Sequence, residues 1–244
     1  MKTAQRRVIK IVRLLERCYG VPRQRRVPTP ATDMLVGTLL SQNTNDRNSY
    51  RAYAALRIKY PTWDMVERTT AAGIASAIRV GGMANLKSRR IKSLLRSIRR
   101  DFGSLDLGVL RQEKNDQEAM RALTTYHGIG VKTAACVLLF SFRREVLPVD
   151  THIHRICNRL GLIRAKTPEK TFEAMKHLVP KKKSYSLHTN LIRFGRTVCL
   201  ARRPRCHGCP LRAECRYASK TPDSSARPSD QRSPKIDFML LDNL

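Results

Sequence analysis

The stretch YHGIGVKTA, residues 126–134, joins two segments of helical spacing. Residues 116–125 before it suit one helix, and the apolar run 131–142 behind it suits another. Gly128 and Gly130 on either side of Ile129 predict a tight turn whose backbone N–H groups point outward. The N-terminus of the following helix adds its dipole, so the turn can hold a phosphate without regard to base sequence. G-I-G alone is common between helices. Followed directly by V-K-T-A-A, it reads as a hairpin between two helices, with His127 at its lip.

Outward from the hairpin, apolar residues keep the same period. Ile91, Leu94, Leu95 and Ile98 fall at i, i+3, i+4 and i+7, as do Ile153, Ile156, Cys157 and Leu160. Thr167-Pro168-Glu169 predicts a helix start, Thr as cap and Pro at the first helical position, with the helix running to about Leu178. Another helix is expected over 184–198, with Leu187, Leu191, Phe194 and Val198 inward. No segment shows sustained period-two alternation, and no repeat is present. The expectation is an all-α chain of roughly ten helices with short connections. From about Ala218 the composition turns to Ser, Pro, Asp and Arg, which predicts a disordered tail. Its last residues, KIDFMLLDNL, are apolar enough for a short helix.

The chain has 244 residues, enough for one large domain or two small ones. Lys and Arg number 48 against 19 acids, a formal charge of +29. Such self-repulsion is best tolerated beside a polyanion, which points to nucleic acid. Residues 1–32 carry nine basic residues and one acid, and KSRRIKSLLRSIRR (87–100) carries seven with no acid. The segment from Ala218 onward has four of each. A single run of this kind is ordinarily a solvated helix face; several, spread over the body, predict an extended phosphate-binding surface. No apolar run approaches the ~20 residues of a membrane span. The first 20 residues read as an amphipathic helix, without the uninterrupted apolar stretch of a signal peptide. Seven cysteines, an odd number, argue against a disulfide framework. We therefore expect an intracellular, cytoplasmic or nucleoid-associated monomer with no membrane partner.

Three further features carry chemistry. Lys132 opens the helix behind the hairpin, where it can be a phosphate-contacting lysine or, as a neutral amine, a nucleophile. Asp150, in LPVDTHIHRICNRL (147–160), precedes a clear helix and has the position of an N-cap. Four cysteines follow as Cys199-x6-Cys206-x2-Cys209-x5-Cys215. On chemistry alone that set can hold zinc or an iron–sulfur cluster.

The hairpin with Lys132, the aspartate 18 residues later, the cysteine quartet and LLSQNTND (39–46), in this order, resemble endonuclease III, a family of helix–hairpin–helix DNA glycosylases. The likeness runs from about residue 31 to 217. It implies a bifunctional DNA glycosylase and abasic-site lyase that removes oxidised pyrimidines from duplex DNA. Two helical domains would flank a cleft: a six-helix domain over 33–143 holding the hairpin, and a second of residues 144–217 joined by the N-terminal helix, 1–32. A relative preferring uracil or mismatches, or a non-catalytic DNA-binding repair factor, is the alternative.

The base must leave the stack before C1′ can be reached. By resemblance, Lys132 then attacks C1′, forming a Schiff base that permits β-elimination, and Asp150 supports the positive charge developing on the sugar. Gln42 would enter the gap left by the base. The family's second wedge is a leucine; here the nearest residue is Met83, whose apolar side chain can also intercalate. Tyr126-His127 stands where the family usually has Leu-Pro, so the hairpin's stiffness or the pocket mouth should differ. The resemblance also implies a [4Fe–4S] cluster on Cys199, Cys206, Cys209 and Cys215. The cluster would fold a short charged loop and set Arg202, Arg203 and Arg205, with His207, against the DNA backbone.

Overall fold

A computed structural model describes residues 2–112 and 115–217; the KIDFMLLDNL segment and the rest of the tail lie outside the described residues. The described residues hold eleven α-helices and no strand, so the expected all-α class holds. They divide into two compact units, one of residues 25–144 and one formed by residues 2–24 with 145–217.

In the first unit, α2 (Ala31–Ser41) is the hub. Met34, Leu35, Val36, Leu39 and Leu40 are all buried, as expected of a helix apolar on every side. Around it pack α3 (Asp46–Lys59), α6 (Ala84–Phe102) and α8 (Val131–Cys136). Two short helices, α4 (Trp63–Arg68) and α5 (Ala71–Ala77), lean on α6, and α7 (Asp116–Thr124) packs on α8. The unit thus has seven α-helices where six are expected. Thr62 and Thr70 each accept a backbone N–H as N-caps, so the segment between them starts twice. Ile91, Leu94, Leu95 and Ile98 form the buried stripe of α6. Each such side chain contributes roughly 1.5–3 kcal/mol through burial.

The helix expected over 131–142 does not stay α. After Cys136 it widens into a π turn, Val137–Ser141, in which Phe142 N–H donates to the carbonyl of Val137 at 3.1 Å. Such a turn accommodates one extra residue, and π turns recur next to functional sites.

In the second unit, α1 (Lys2–Tyr19) lays Val8, Ile11, Val12 and Leu15 against α11 (Ser184–Thr197). Both α9 (Thr151–Arg159) and α1 pack on α11, while α10 (Pro168–Met175) packs on α9. Thr167 caps α10 as its sequence predicts. The helix stops at Met175 rather than near Leu178. Leu178 and Val179 N–H both close back on the Met175 carbonyl, because the residue before Pro180 resists helical angles. Glycine decides how near α9 and α11 come: a Cβ on Gly195 would lie 2.8 Å from His152 Cβ.

Candidate active site and cysteine loop

The hairpin is anchored from inside. Ile129, between the two glycines, is buried, and its N–H donates to the Tyr126 carbonyl at 3.0 Å. Gly128 has φ +85°, the left-handed region that a side chain resists. His127 and Gly130 are exposed, and no atom lies within 4 Å of where a Gly130 Cβ would be. Gly130 is the N-cap of α8 and supplies no side-chain cap, so the first turn of that helix is open toward a ligand. Tyr126 is buried and hydrogen-bonded to Asp101, which also accepts from Arg100 Nε at 2.8 Å. Burial, and then the Asp101 charge, push its phenol up to about 12. This residue therefore ties the hairpin to the end of α6 instead of lining a pocket mouth. Lys132 is the second residue of α8, half-buried, with no hydrogen-bond or ion-pair partner among the described residues.

Gln42 is drawn to the same hairpin. It ends α2, and its Nε2 donates to the Gly128 carbonyl at 3.3 Å while Oε1 accepts from Arg90 Nη1 at 3.1 Å. Met83, the N-cap of α6, is 49% exposed and held at φ +49°. Facing it, Asn43 is also left-handed at φ +52°, and its Nδ2 lies 4.0 Å from Met83 Sδ. The residue chemistry alone did not single out Arg90 or Lys87. Their signal was only a basic run; the Leu40 carbonyl that Lys87 reaches and the Gln42 that Arg90 holds lie more than forty residues away in sequence.

Most of that run makes contacts within the protein. Lys87 is buried on two carbonyls, Arg90 holds Gln42, and Lys92 caps the carbonyls of Glu67 and Thr69. Arg96 faces Glu67, Arg99 pairs with Asp64, and Arg100 with Asp101. Of the seven, Arg89 alone is exposed without a partner among the described residues. The amphipathic period of α6 places most of these side chains beside neighbouring helices, which use them as hydrogen-bond donors.

Asp150 belongs to the other unit. As the N-cap of α9, it accepts the Ile153 N–H through Oδ1 at 2.8 Å, and this leaves Oδ2 outside the cap. Leu147, Pro148 and Val149 before it are buried, so the carboxylate sits on a fixed stem. Two residues on, His152 has its imidazole pKa lowered, by burial first and by Arg155 and Arg196, against the pull of Asp150.

Cys199, Cys206, Cys209 and Cys215 line one cavity, whose other walls include Ile156, Leu160, Phe194 and Leu211. All four thiols are free and half-buried. Burial, and then the neighbouring cysteines, push the Cys209 thiol up to about 11, a sign of how closely the four share their surroundings. Among the described residues no three His, Cys, Asp or Glu groups converge on a single-ion site. Arginines hold the loop. Arg155 donates twice to the Cys199 carbonyl, at 3.2 and 2.7 Å. Arg159 reaches the carbonyls of Leu200 and Ala201 and the Cys199 sulfur at 3.4 Å, with Tyr217 stacked 4.5 Å from its guanidinium. Arg7 of α1 donates to the carbonyls of Leu160, Gly161 and Glu214. Sequence reasoning had not marked these arginines; Arg155 and Arg159, one turn apart on α9, were the available signal. Arg202, Arg203, Arg205 and His207 are exposed on the outside of the loop, with Arg203 at φ +48°.

Residues 36–181 match the model of the HhH-GPD superfamily of base excision DNA repair proteins. Endonuclease III of Thermotoga maritima is 31% identical over 199 residues, covering 82% of this chain and 89% of that one. Endonuclease III of Sulfolobus acidocaldarius is 36% identical over 186 residues, 75% of this chain and 80% of that one. In fold, the chain is similar to a solved non-covalent endonuclease III–DNA complex, with TM-score 0.73, 24% identity, and 87% and 95% of the two chains covered. The helical hairpin, its lysine and the match over most of the chain place this protein in the endonuclease III family of base excision DNA repair glycosylases.

Proposed function

We propose that this protein extrudes an oxidised pyrimidine from duplex DNA, excises it, and then cleaves the strand at the abasic site. Lys132 Nζ attacks C1′, and the base departs with the electron pair of the N-glycosidic bond. The amine then loses a proton, its lone pair forms the C1′=N bond as the C1′–O4′ bond breaks and O4′ takes a proton, and the open-chain Schiff base results. Abstraction of a C2′ proton follows, and the C3′–O bond breaks by β-elimination. Asp150 keeps its place through the α9 cap and offers Oδ2 to the positive charge developing at the sugar and to the proton leaving the amine. Gln42 and Met83 fill the duplex, while the open N-terminus of α8, with His127, Gly128, Ile129 and Gly130, takes a phosphate.

The cysteine loop suits a [4Fe–4S] cluster held by Cys199, Cys206, Cys209 and Cys215. Four free thiols lining one mostly apolar cavity are a donor set that can hold such a cluster. When bound, the cluster would supply iron–thiolate bonds that hold the loop folded. The chain's own contribution there is to present Arg202, Arg203 and Arg205 to the DNA backbone.

The observation that carries this reading is Lys132: an unpartnered amine at the first turn of the helix behind an exposed, uncapped hairpin. Borohydride trapping tests it. A covalent adduct is expected on a thymine glycol duplex and is lost in Lys132→Ala. An adduct that survives the substitution would reassign the nucleophile. No adduct on thymine glycol, dihydrouracil, uracil or abasic duplexes would overturn the Lys132 lyase; base release without an adduct would then mark a monofunctional glycosylase, and no release a non-catalytic DNA-binding protein. A preference for uracil over thymine glycol would shift the substrate class.

A further inference from the structure

Lys87 is the least expected lysine of the chain. Only 3% of it is exposed, and no acid pairs with it among the described residues. Its Nζ lies 2.8 Å from the Leu40 carbonyl and 2.8 Å from the Gly81 carbonyl. Each acceptor precedes a proposed wedge by two residues, Leu40 before Gln42 and Gly81 before Met83. The two loops also meet at their tips, where Asn43 Nδ2 touches Met83 Sδ and both residues carry positive φ. Left-handed angles at non-glycine residues persist only where the surroundings impose them. The Leu40 carbonyl is in the last turn of α2 and the Gly81 carbonyl ends the 3-10 turn Arg79–Gly81, so the ammonium satisfies one end carbonyl of each. Burial lowers the lysine's pKa, yet both carbonyls need a donor and no other side chain among the described residues donates to them.

We infer that Lys87 is a positioning residue that locks the Gln42 and Met83 loops in one register, so that both side chains enter the duplex together when a base is extruded. The inference rests on the enzymatic reading above. Without the lysine, either loop can still fold, but the two no longer move as one. Misplacing a group by about 1 Å costs on the order of 100-fold in rate.

The test compares full-length wild type with Lys87→Met, which keeps the aliphatic stem and removes both hydrogen bonds. Lys87→Gln keeps a donor without the charge and carries the measurement if the methionine variant does not fold. Three quantities are read: single-turnover excision of thymine glycol, strand cleavage at a pre-formed abasic site, and amide hydrogen exchange. Excision, which needs extrusion, is expected to fall about 10–100-fold. Cleavage at the abasic site, where no base has to be displaced, stays within about threefold. Exchange quickens together over residues 41–45 and 79–83, and Lys87→Gln lies between. Unchanged excision, a parallel loss of both activities, or faster exchange in one loop only would each overturn the inference. A wild-type protein inactive on both substrates overturns the enzymatic reading and Lys87's part in the reaction with it; joint loosening of the loops then shows that the reading failed rather than the contact.

Discussion

Gln42 donates from Nε2 to the Gly128 carbonyl at 3.3 Å, so the end of α2 and the turn of the hairpin are held together 86 residues apart in the chain. Arg90 completes the contact from α6, through Gln42 Oε1. The residue proposed to fill the duplex is thus stored against the element proposed to grip the phosphate, and a change in one should be felt in the other.

Gly128→Ala tests this. A Cβ at φ +85° would meet only ordinary contacts, 3.6 Å from Arg90 Cδ and from Leu39 Cδ2, so the cost is conformational. A left-handed alanine costs about 1–2 kcal/mol. Urea unfolding should show that loss. If the backbone relaxes instead, the Gln42 contact breaks, and duplex binding should weaken without a matching loss of stability.

Asp150 serves as a cap, and we propose that it serves in catalysis; two substitutions separate the roles. Asp150→Asn retains an oxygen for the Ile153 N–H and should keep thermal stability near wild type, whereas Asp150→Ala loses about 1 kcal/mol. Both should lose excision by a similar large factor, because the charge is gone in each. Full excision by Asp150→Asn would reduce the residue to its cap.

The salt dependence of duplex binding discriminates between the basic segments. Each phosphate contact contributes about 0.9 to the slope of log K against log salt. Replacing Arg202, Arg203 and Arg205 together by Ala should lower the slope by roughly 2–3. Lys92→Ala should leave it unchanged, since that lysine is already bound to the carbonyls of Glu67 and Thr69.

Glu16 sets an acid limit for the second unit. Burial raises its pKa, but hydrogen bonds from Ser186 and Lys183 and the Lys183 charge outweigh that and hold it below the ordinary 4.5. A carboxylate with a lowered folded pKa contributes stability that is complete above its unfolded value and is lost as pH falls through the folded one. Unfolding free energy should therefore begin to fall below about pH 4.5. Glu16→Gln should be less stable at pH 7 and flatter over that acid range, measured by urea titration at several pH values.

The local features could be read directly from the chain. The period of Ile91, Leu94, Leu95 and Ile98, the Thr167-Pro168 start and the Asp150 cap depend on neighbours within one or two turns. The hairpin likewise carries its own instructions in Gly128, Ile129 and Gly130. A count of charges leaves open which residues already have partners in the fold. Six of the seven basic residues over 87–100 have partners within the protein, Arg96 and Arg100 at its surface, a fact invisible in a count because it depends mostly on which helix lies beside α6. Tyr126, expected to change either the hairpin's stiffness or the pocket mouth, is buried and bonded to Asp101 at the end of a neighbouring helix.

By itself, then, the sequence determined the helices, the turn that opens α8 behind Gly130, and the spacing of the four cysteines. Each of these is fixed by backbone angles and hydrogen bonds that close over a few residues. Only the tertiary structure decided that Lys87 would be buried between the carbonyls of Leu40 and Gly81, and that Arg90 would be spent on Gln42. It also decided that Arg7, Arg155 and Arg159 would brace the cysteine loop. A lysine or arginine in solution carries the same charge wherever it stands. Its use is set by which carbonyls the folded chain brings within about 3 Å, and those come mostly from distant parts of the sequence.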